Sequence, residues 1–426
     1  MSVRAVSSAD ALALALLAAP PLAIYAPAAM APLAVLAAGA IILIAAINRR
    51  WPAMGAPGVL ALLALVAVWG AATALWAVRP DESLKRALQL AGIFFAGSVL
   101  IGGAGGLTPP QRRRVATAAA LGLAIAVALV FIERFSGDAL RRLVEPAYGF
   151  HDGTMKRAAT LLVLLLAAPA AYLWREENRL AAVVLVVAVG VATFVLDSIA
   201  ARLALTASVT VALLAWYLPR VAATLLALCI AGTIMLAPLA VRLLPAPEPQ
   251  NAAARGNLPD SAAHRVMIWQ YAAGKIAERP LQGWGLDSAR SIPDARRVVP
   301  WQMHESETRA NTMTTVVLMP LHPHNAPMQW WLELGVPGAV LGAAVALLAL
   351  LGAMNHTRNP ADRAAALGLV AAGMTVAVIS YGAWQSWWLL TMFLAASGMA
   401  ALPGVDPPGL SKRLAPLWLA ALWRQS

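Results

Sequence analysis

Residues 328–354 read MQWWLELGVPGAVLGAAVALLALLGAM, a stretch nearly free of charge. About 20 apolar residues in a helix cross the roughly 30 Å hydrocarbon core of a bilayer. Trp330 and Trp331 stand at its start, where indole rings favour the headgroup level. Gly335, Pro337 and Gly338 mark a break before the apolar run resumes. Working outward, eleven more segments of this character recur, near 11–28, 29–47, 54–78, 87–107, 115–133, 158–174, 180–196, 201–218, 221–241, 364–382 and 387–403. Pro20, Pro21, Pro27 and Pro32 crowd the junction of the first two, which could instead be one span plus a re-entrant piece. The first run is expected to be a retained span rather than a cleaved signal, because apolar spans keep recurring.

Composition agrees with this reading. Of 426 residues 61% are hydrophobic and 12% charged, against about 45–50% and 25% in soluble proteins. That excludes a soluble enzyme and a disordered chain, and barrel strands would alternate in polarity rather than run apolar. The expected fold is an all-α polytopic membrane protein of about twelve transmembrane helices with one long helical outer loop. Residues 1–241 would hold helices one to nine, 242–327 the loop, and 328–426 the last three helices and a tail. With Cys229 as the single cysteine, no intramolecular disulfide is possible. The net charge is +12, yet no lysine-rich tract or soluble basic domain goes with it, so nucleic acid is not an expected partner.

Alternate loops sort by charge. One set holds Arg4, Arg49, Arg50, Arg112 to Arg114, Arg175, Arg179, Arg220, Arg358, Arg363, Lys412, Arg413 and Arg424. The other set holds as many or more, but half of its basic residues lie in the long loop, which is excluded from the positive-inside count. The remaining comparison is 14 against 9, which puts the first set and both termini in the cytoplasm. The outer side then still carries many arginines, and His151, His264, His304, His322 and His324 besides. A solvated surface with local ion pairs accounts for most of them. A sharper reading is an outward-facing site for a phosphorylated ligand, because guanidinium groups bind phosphate bidentately.

Within the loop, a Pro-rich irregular start gives way to an amphipathic helix. Asp260 or Ser261 can cap it, Arg265 and Trp269 share a face four residues apart, and it ends before Pro280. Gly283 and Gly285 flank Trp284 in what reads as a tight turn. Residues 291–320 show no clean period. Asn325 can cap a helix that begins near Pro327. Pro323 keeps His322 out of the α region, so His322 and His324 are expected on extended backbone with both imidazoles facing one pocket. An imidazole titrates near ~6.5 and suits a general base at neutral pH. A pyrophosphate-linked sugar carries its own leaving group, and arginines can bind the charge that develops on it. One histidine and two arginines at the outer surface thus suffice for glycosyl transfer with no nucleotide. No P-loop pattern is present to suggest ATP-driven transport. A metal site on His322 and His324, completed by His304, Glu305 and Glu307, is the rival reading.

These residues resemble a known group. His322-Pro-His324-Asn325 followed by QWWLELGVPG is similar to the H-x-H-N…L…E-x-G-x-x-G signature of the bacterial O-antigen ligase and polymerase superfamily. Arg265-x-x-x-Trp269 and Pro280-Leu281-Gln282-Gly283-Trp284-Gly285 are similar to its R-x-x-x-W…P-x-x-G-x-G segment. Asp197-Ser198-Ile199-Ala200-Ala201-Arg202 is similar to its S-R element, with Ser198 and Arg202 separated here by three residues. The resemblance covers roughly 195–350 by motif.

It implies a GT-C-like, metal-independent, inverting glycosyltransferase of the bacterial inner membrane, with its active site in the periplasmic loop and no cofactor. The donor would be an undecaprenyl-pyrophosphate-linked glycan and, in the ligases, the acceptor a sugar hydroxyl of lipid A–core oligosaccharide. Arg202 and Arg265 would bind the pyrophosphate. His324 leads as the base with His322 beside it, and both match a motif position, so the choice stays open. Trp269, Gly283, Gly285 and Asn325 would shape the substrate site; a membrane-interface anchor is the simpler role for Trp269.

Within the superfamily, polymerases often carry two substantial outer loops. Protein O-oligosaccharyltransferases tend to have an added C-terminal region. Here one loop is long and a short amphipathic tail (SKRLAPLWLAALWRQ) follows the last span, which favours the ligase. A flippase or other transporter would carry polar residues mid-span, where this chain has few.

Overall fold

The computed structural model describes residues 7–144, 152–252, 255, 258–303, 312–355 and 359–402. The tail at 411–425, together with His151, His304, Glu305 and Glu307, lies outside the described residues. Sixteen helices are described. The first twelve are α1 (Ser8–Tyr25), α2 (Met30–Ile47), α3 (Pro57–Ala72), α4 (Pro80–Gly105), α5 (Pro109–Ser136), α6 (Ala139–Val144), α7 (Asp152–Leu164), α8 (Ala167–Arg175), α9 (Arg179–Val195), α10 (Ile199–Tyr217), α11 (Pro219–Met235) and α12 (Ala237–Arg242). After them come α13 (Asp260–Glu278), α14 (Ala326–Asn355), α15 (Pro360–Ile379) and α16 (Ser386–Ala400).

Eight of these stretches are long and apolar enough to cross a membrane, and α7 with α8, bent by 40°, makes a ninth. The other three expected spans correspond to shorter apolar helices, α9, α11 and α16. The proline-rich first junction holds two separate helices, with a 3-10 turn at Pro27–Ala29 leading into α2. The expected break in the decisive stretch is present: α14 kinks at Gly335, whose φ is 65° and ψ −159°.

In lipid, helices associate through close van der Waals packing rather than through water exclusion, and small residues mark the crossings. A Cβ on Gly122 would come within 2.4 Å of the Leu17 carbonyl oxygen, where α5 meets α1. On Gly368 it would come within 2.9 Å of the Ser208 carbonyl oxygen, where α15 meets α10, the most extensive helix contact in the bundle.

The two charge sets segregate cleanly. Arg114 pairs with Asp10, Arg113 with Glu176, and Arg175 with buried Asp362, each at 2.6 Å. Arg86 pairs with Asp287 at 2.8 Å and Arg290 with Glu82 at 3.3 Å. Among the described residues, every ion pair joins members of one set. Arg112 is buried in the first turn of α5 and donates to the carbonyls of Gly105, Leu107, Ala400 and Leu402. These are the free carbonyls at the ends of α4 and α16, where a cation also meets the negative end of the helix dipole.

The loop region forms a small lobe on the opposite end. Helix α13 buries Ile268, Ala272, Ala273 and Ile276 against Trp284, Met319, Met328 and Leu332. Residues 291–320, for which no element was expected, contain an antiparallel hairpin of β1 (Val298–Gln302) and β2 (Met313–Val317).

Candidate active site

Helix α13 begins where the sequence suggests but without a side-chain cap, since Pro259 occupies the N-cap. The Asp260 carboxylate instead accepts from Arg255 Nη2 at 2.9 Å and Trp301 Nε1 at 3.3 Å. The shared face of Arg265 and Trp269 is used as a pair of clamps. Arg265 Nη1 donates to the Ile379 carbonyl at 2.9 Å, and Trp269 Nε1 donates to the Pro323 carbonyl at 2.7 Å. Trp269 therefore holds the histidine segment itself.

That segment corrects one expectation. His324 is not extended: its φ is +57°, in the left-handed region that histidine adopts more readily than most residues. The cause is a fold-back, in which the His324 backbone N–H donates to His322 Nδ1 at 3.1 Å. The imidazoles do face each other, with ring centroids 4.3 Å apart. His324 Nδ1 lies 2.8 Å from the Ser380 carbonyl. A carbonyl only accepts, so the proton sits on Nδ1 and the lone pair on Nε2, which has no hydrogen-bond partner among the described residues. Burial pushes His322 down to about 3, with His324 and Arg265 adding to the shift. Burial also lowers His324, partly offset by its bond to Ser380 and reinforced by Arg265 and His264. Asn325 caps α14, accepting from the Met328 N–H at 2.9 Å.

The segment 379–385, between α15 and α16, was not singled out in the sequence, yet it scaffolds the site. Its carbonyls receive Arg265 and His324. Gly382 lies so close to His322 that a Cβ would sit 2.7 Å from the ring. A buried hub secures it: the Glu333 carboxylate accepts from Trp384 Nε1 (2.6 Å), Gln329 Nε2 (3.0 Å), the Asp287 N–H (2.6 Å) and the Ala289 N–H (3.3 Å). The glycine motifs exist for the same junction. Trp284 and Gly285 donate backbone N–H groups to the carbonyls of Leu332 and Glu333, both at 2.9 Å. Gly283 and Gly285 have positive φ, and a Cβ on Gly283 would meet the Glu333 backbone at 2.5 Å. They bring one backbone onto the α14 kink.

The cations divide into two kinds. Arg202 donates to Asp197 at 3.2 Å and lies over Phe194. Asp197 also faces Lys156 at 3.7 Å. Arg157, the next residue, lies 6.0 Å from the Trp387 ring. The Tyr381 ring stands edge-on to Trp387 with centroids 4.6 Å apart, and its hydroxyl donates to Thr160 Oγ1 at 3.1 Å. Among the described residues Arg202 is linked towards Arg157 only through the Asp197–Lys156 pair, while Arg265 and His324 are anchored to successive carbonyls, those of Ile379 and Ser380. Arg265 is partly buried and has no carboxylate partner among the described residues, and burial lowers its pKa. By contrast His264 is structural, its Nε2 2.9 Å from the Val317 carbonyl, and Arg86 and Arg290 are spent in ion pairs.

Fold and site together define a polytopic helical membrane protein with two imidazoles, one of them buried, and a guanidinium that has no carboxylate partner among the described residues, held at one end of the bundle. Residues 153–343 match the family model described as O-antigen ligase. Proteins bearing the provisional name of polysaccharide ligase are similar over most of the chain: one from Rickettsia felis at 26% identity, covering 76% of each chain. Another from Rickettsia bellii is 27% identical over 76% of each, and one from Rickettsia prowazekii is 26% identical over 77% of this chain and 76% of its own. These matches support membership of the O-antigen ligase superfamily, the group whose motifs the sequence resembles.

Proposed function

We propose that the protein is an O-antigen ligase. It transfers a glycan from undecaprenyl pyrophosphate to a sugar hydroxyl of lipid A–core oligosaccharide, on the periplasmic face of the inner membrane, with both termini in the cytoplasm. The observation that carries this reading is that His324, with an Nε2 unengaged among the described residues, and Arg265, a partly buried cation without a carboxylate partner among them, are held on successive carbonyls, those of Ser380 and Ile379. Such a cation gains most from a ligand that brings its own negative charge.

In the reaction, His324 Nε2 accepts the acceptor hydroxyl proton as that oxygen bonds to the anomeric carbon. The bond from that carbon to the pyrophosphate oxygen breaks on the opposite face, giving inversion. Undecaprenyl pyrophosphate leaves with the bonding pair, its charge held by Arg265 with Arg202 and Arg157. The proton on His324 then passes to solvent. Trp269, Asn325, Gly283 and Gly285 hold the segments that carry these groups. No nucleotide or metal takes part.

Purified protein in detergent, given lipid-pyrophosphate glycan and lipid A–core with a chelator and no ATP, should form linked product. Activity lost to chelator and restored by a divalent ion would overturn the mechanism. Joining of two lipid-linked glycans in place of transfer to the core would make the protein a polymerase.

A further inference from the structure

His322 makes two contacts that constrain each other. Its Nδ1 accepts the backbone N–H of His324 at 3.1 Å, and its Nε2 lies 3.1 Å from the Gln385 side-chain amide nitrogen. A neutral imidazole that accepts at Nδ1 carries its proton at Nε2, so its partner there must be an acceptor. The oxygen and nitrogen of a glutamine amide are interchangeable in placement, and Gln385 Oε1 is buried with no partner as placed. Turning the amide gives the His322 proton an acceptor and Gln385 Oε1 a donor at once. Both ring nitrogens are then engaged, and the ring is buried at 7% exposure under Gly382.

We propose that Gln385 and His322 form a positioning pair: Gln385 fixes His322 as the neutral Nε2–H tautomer, whose Nδ1 holds the His324 backbone in its left-handed turn. This deepens the reading of His324 as the base and settles which histidine can serve. His322 has no lone pair left to take a substrate proton. The turn it enforces sets His324 Nδ1–H on the Ser380 carbonyl and leaves Nε2 bare. Gln385 lies some 60 residues beyond the His-Pro-His-Asn segment, outside every motif read from the sequence.

The test that does not depend on turnover is nitrogen-15 NMR of histidine-labelled protein in lipid nanodiscs, assigned with His322→Asn and His324→Ala. At pH 7, His322 should show a protonated Nε2 and bare Nδ1, and His324 the reverse. A proton on His322 Nδ1 overturns the proposal whether or not the protein is a ligase. In ligation assays, Gln385→Leu should lower kcat by about 10- to 100-fold, the scale of a misplaced catalytic group, with the donor KM little changed. Gln385→Glu keeps an acceptor at that position and should recover most of the rate. His322→Asn, whose carbonyl oxygen can stand in for Nδ1, should outperform His322→Leu by about tenfold; a true base would be lost equally in both. Equal loss in those two, or unaltered kcat in Gln385→Leu, refutes the pair.

Discussion

Replacing Gly335 by alanine tests the junction that holds the site together. At φ 65° and ψ −159°, Gly335 occupies a region that is essentially glycine-only, and another residue there costs about 1–3 kcal/mol. The added Cβ would also lie 2.3 Å from the Leu281 carbonyl oxygen and 2.8 Å from the Gln282 nitrogen. These are backbone atoms that cannot rotate away, and forcing them apart adds about 1–3 kcal/mol. The expected destabilisation is therefore about 2–6 kcal/mol, a large share of the roughly 5–15 kcal/mol by which folded domains are stable. Moving the 281–285 turn from α14 also disturbs the donors around Glu333, so turnover should fall in whatever fraction stays folded. The assay is reversible unfolding in mixed micelles, with Gly39→Ala as control. A Cβ at Gly39 meets nothing within 4 Å, and alanine in a helix gains up to about 1 kcal/mol over glycine. The reasoning fails if Gly335→Ala unfolds like the native protein, or if the two variants behave alike.

Arg265→Lys keeps the charge but loses the fork that binds phosphate bidentately, and ligation should slow by about 100-fold; unchanged kinetics would exclude a pyrophosphate contact. His324→Ala should abolish turnover in protein that still folds in micelles, and near-native ligation would remove it as the base. Trp269→Phe loses the donor to the Pro323 carbonyl and should cost about tenfold in kcat, read against an unchanged melting profile; a native kcat would reduce Trp269 to a packing residue. Because His322 and His324 are held neutral by burial, the unfolded chain binds more protons than the folded one below the ordinary histidine pKa of about 6.5. Stability is then full above that pH and declines as pH falls towards about 3, the value to which His322 is depressed. His322→Asn should flatten that decline in a pH series of unfolding curves, and an identical slope would contradict it. The rate should hold through neutral pH and fall only below the ordinary histidine range, because burial lowers the pKa of His324 in the folded protein.

The bilayer explains why so much of the architecture is legible in one sequence. Whether a segment enters hydrocarbon depends on its own composition, so the expected spans fall on helices, although 158–174 is broken into the bent pair α7 and α8, and α9, α11 and α16 are shorter than a full crossing. The kink at Gly335, the helix carrying Arg265 and Trp269, and the Asn325 cap are local too, set by residues within a turn or two. The α13 cap went to Pro259 rather than to Asp260 because Arg255, just upstream, and Trp301, on β1, claim that carboxylate.

What composition and spacing alone determined is that this chain lies in a membrane, with glycine-marked turns, a histidine pair and several cations in one long loop. Only the tertiary structure decided which imidazole keeps a free lone pair. That depends on the carbonyl of Ser380 and the amide of Gln385, more than 50 residues away and brought near by the packing of α15 and α16. The same packing set Tyr381 against Trp387 and bound Glu333 to Trp384. A proton's position on a ring is a property of its hydrogen-bond partners, and those partners are assembled only when distant helices meet.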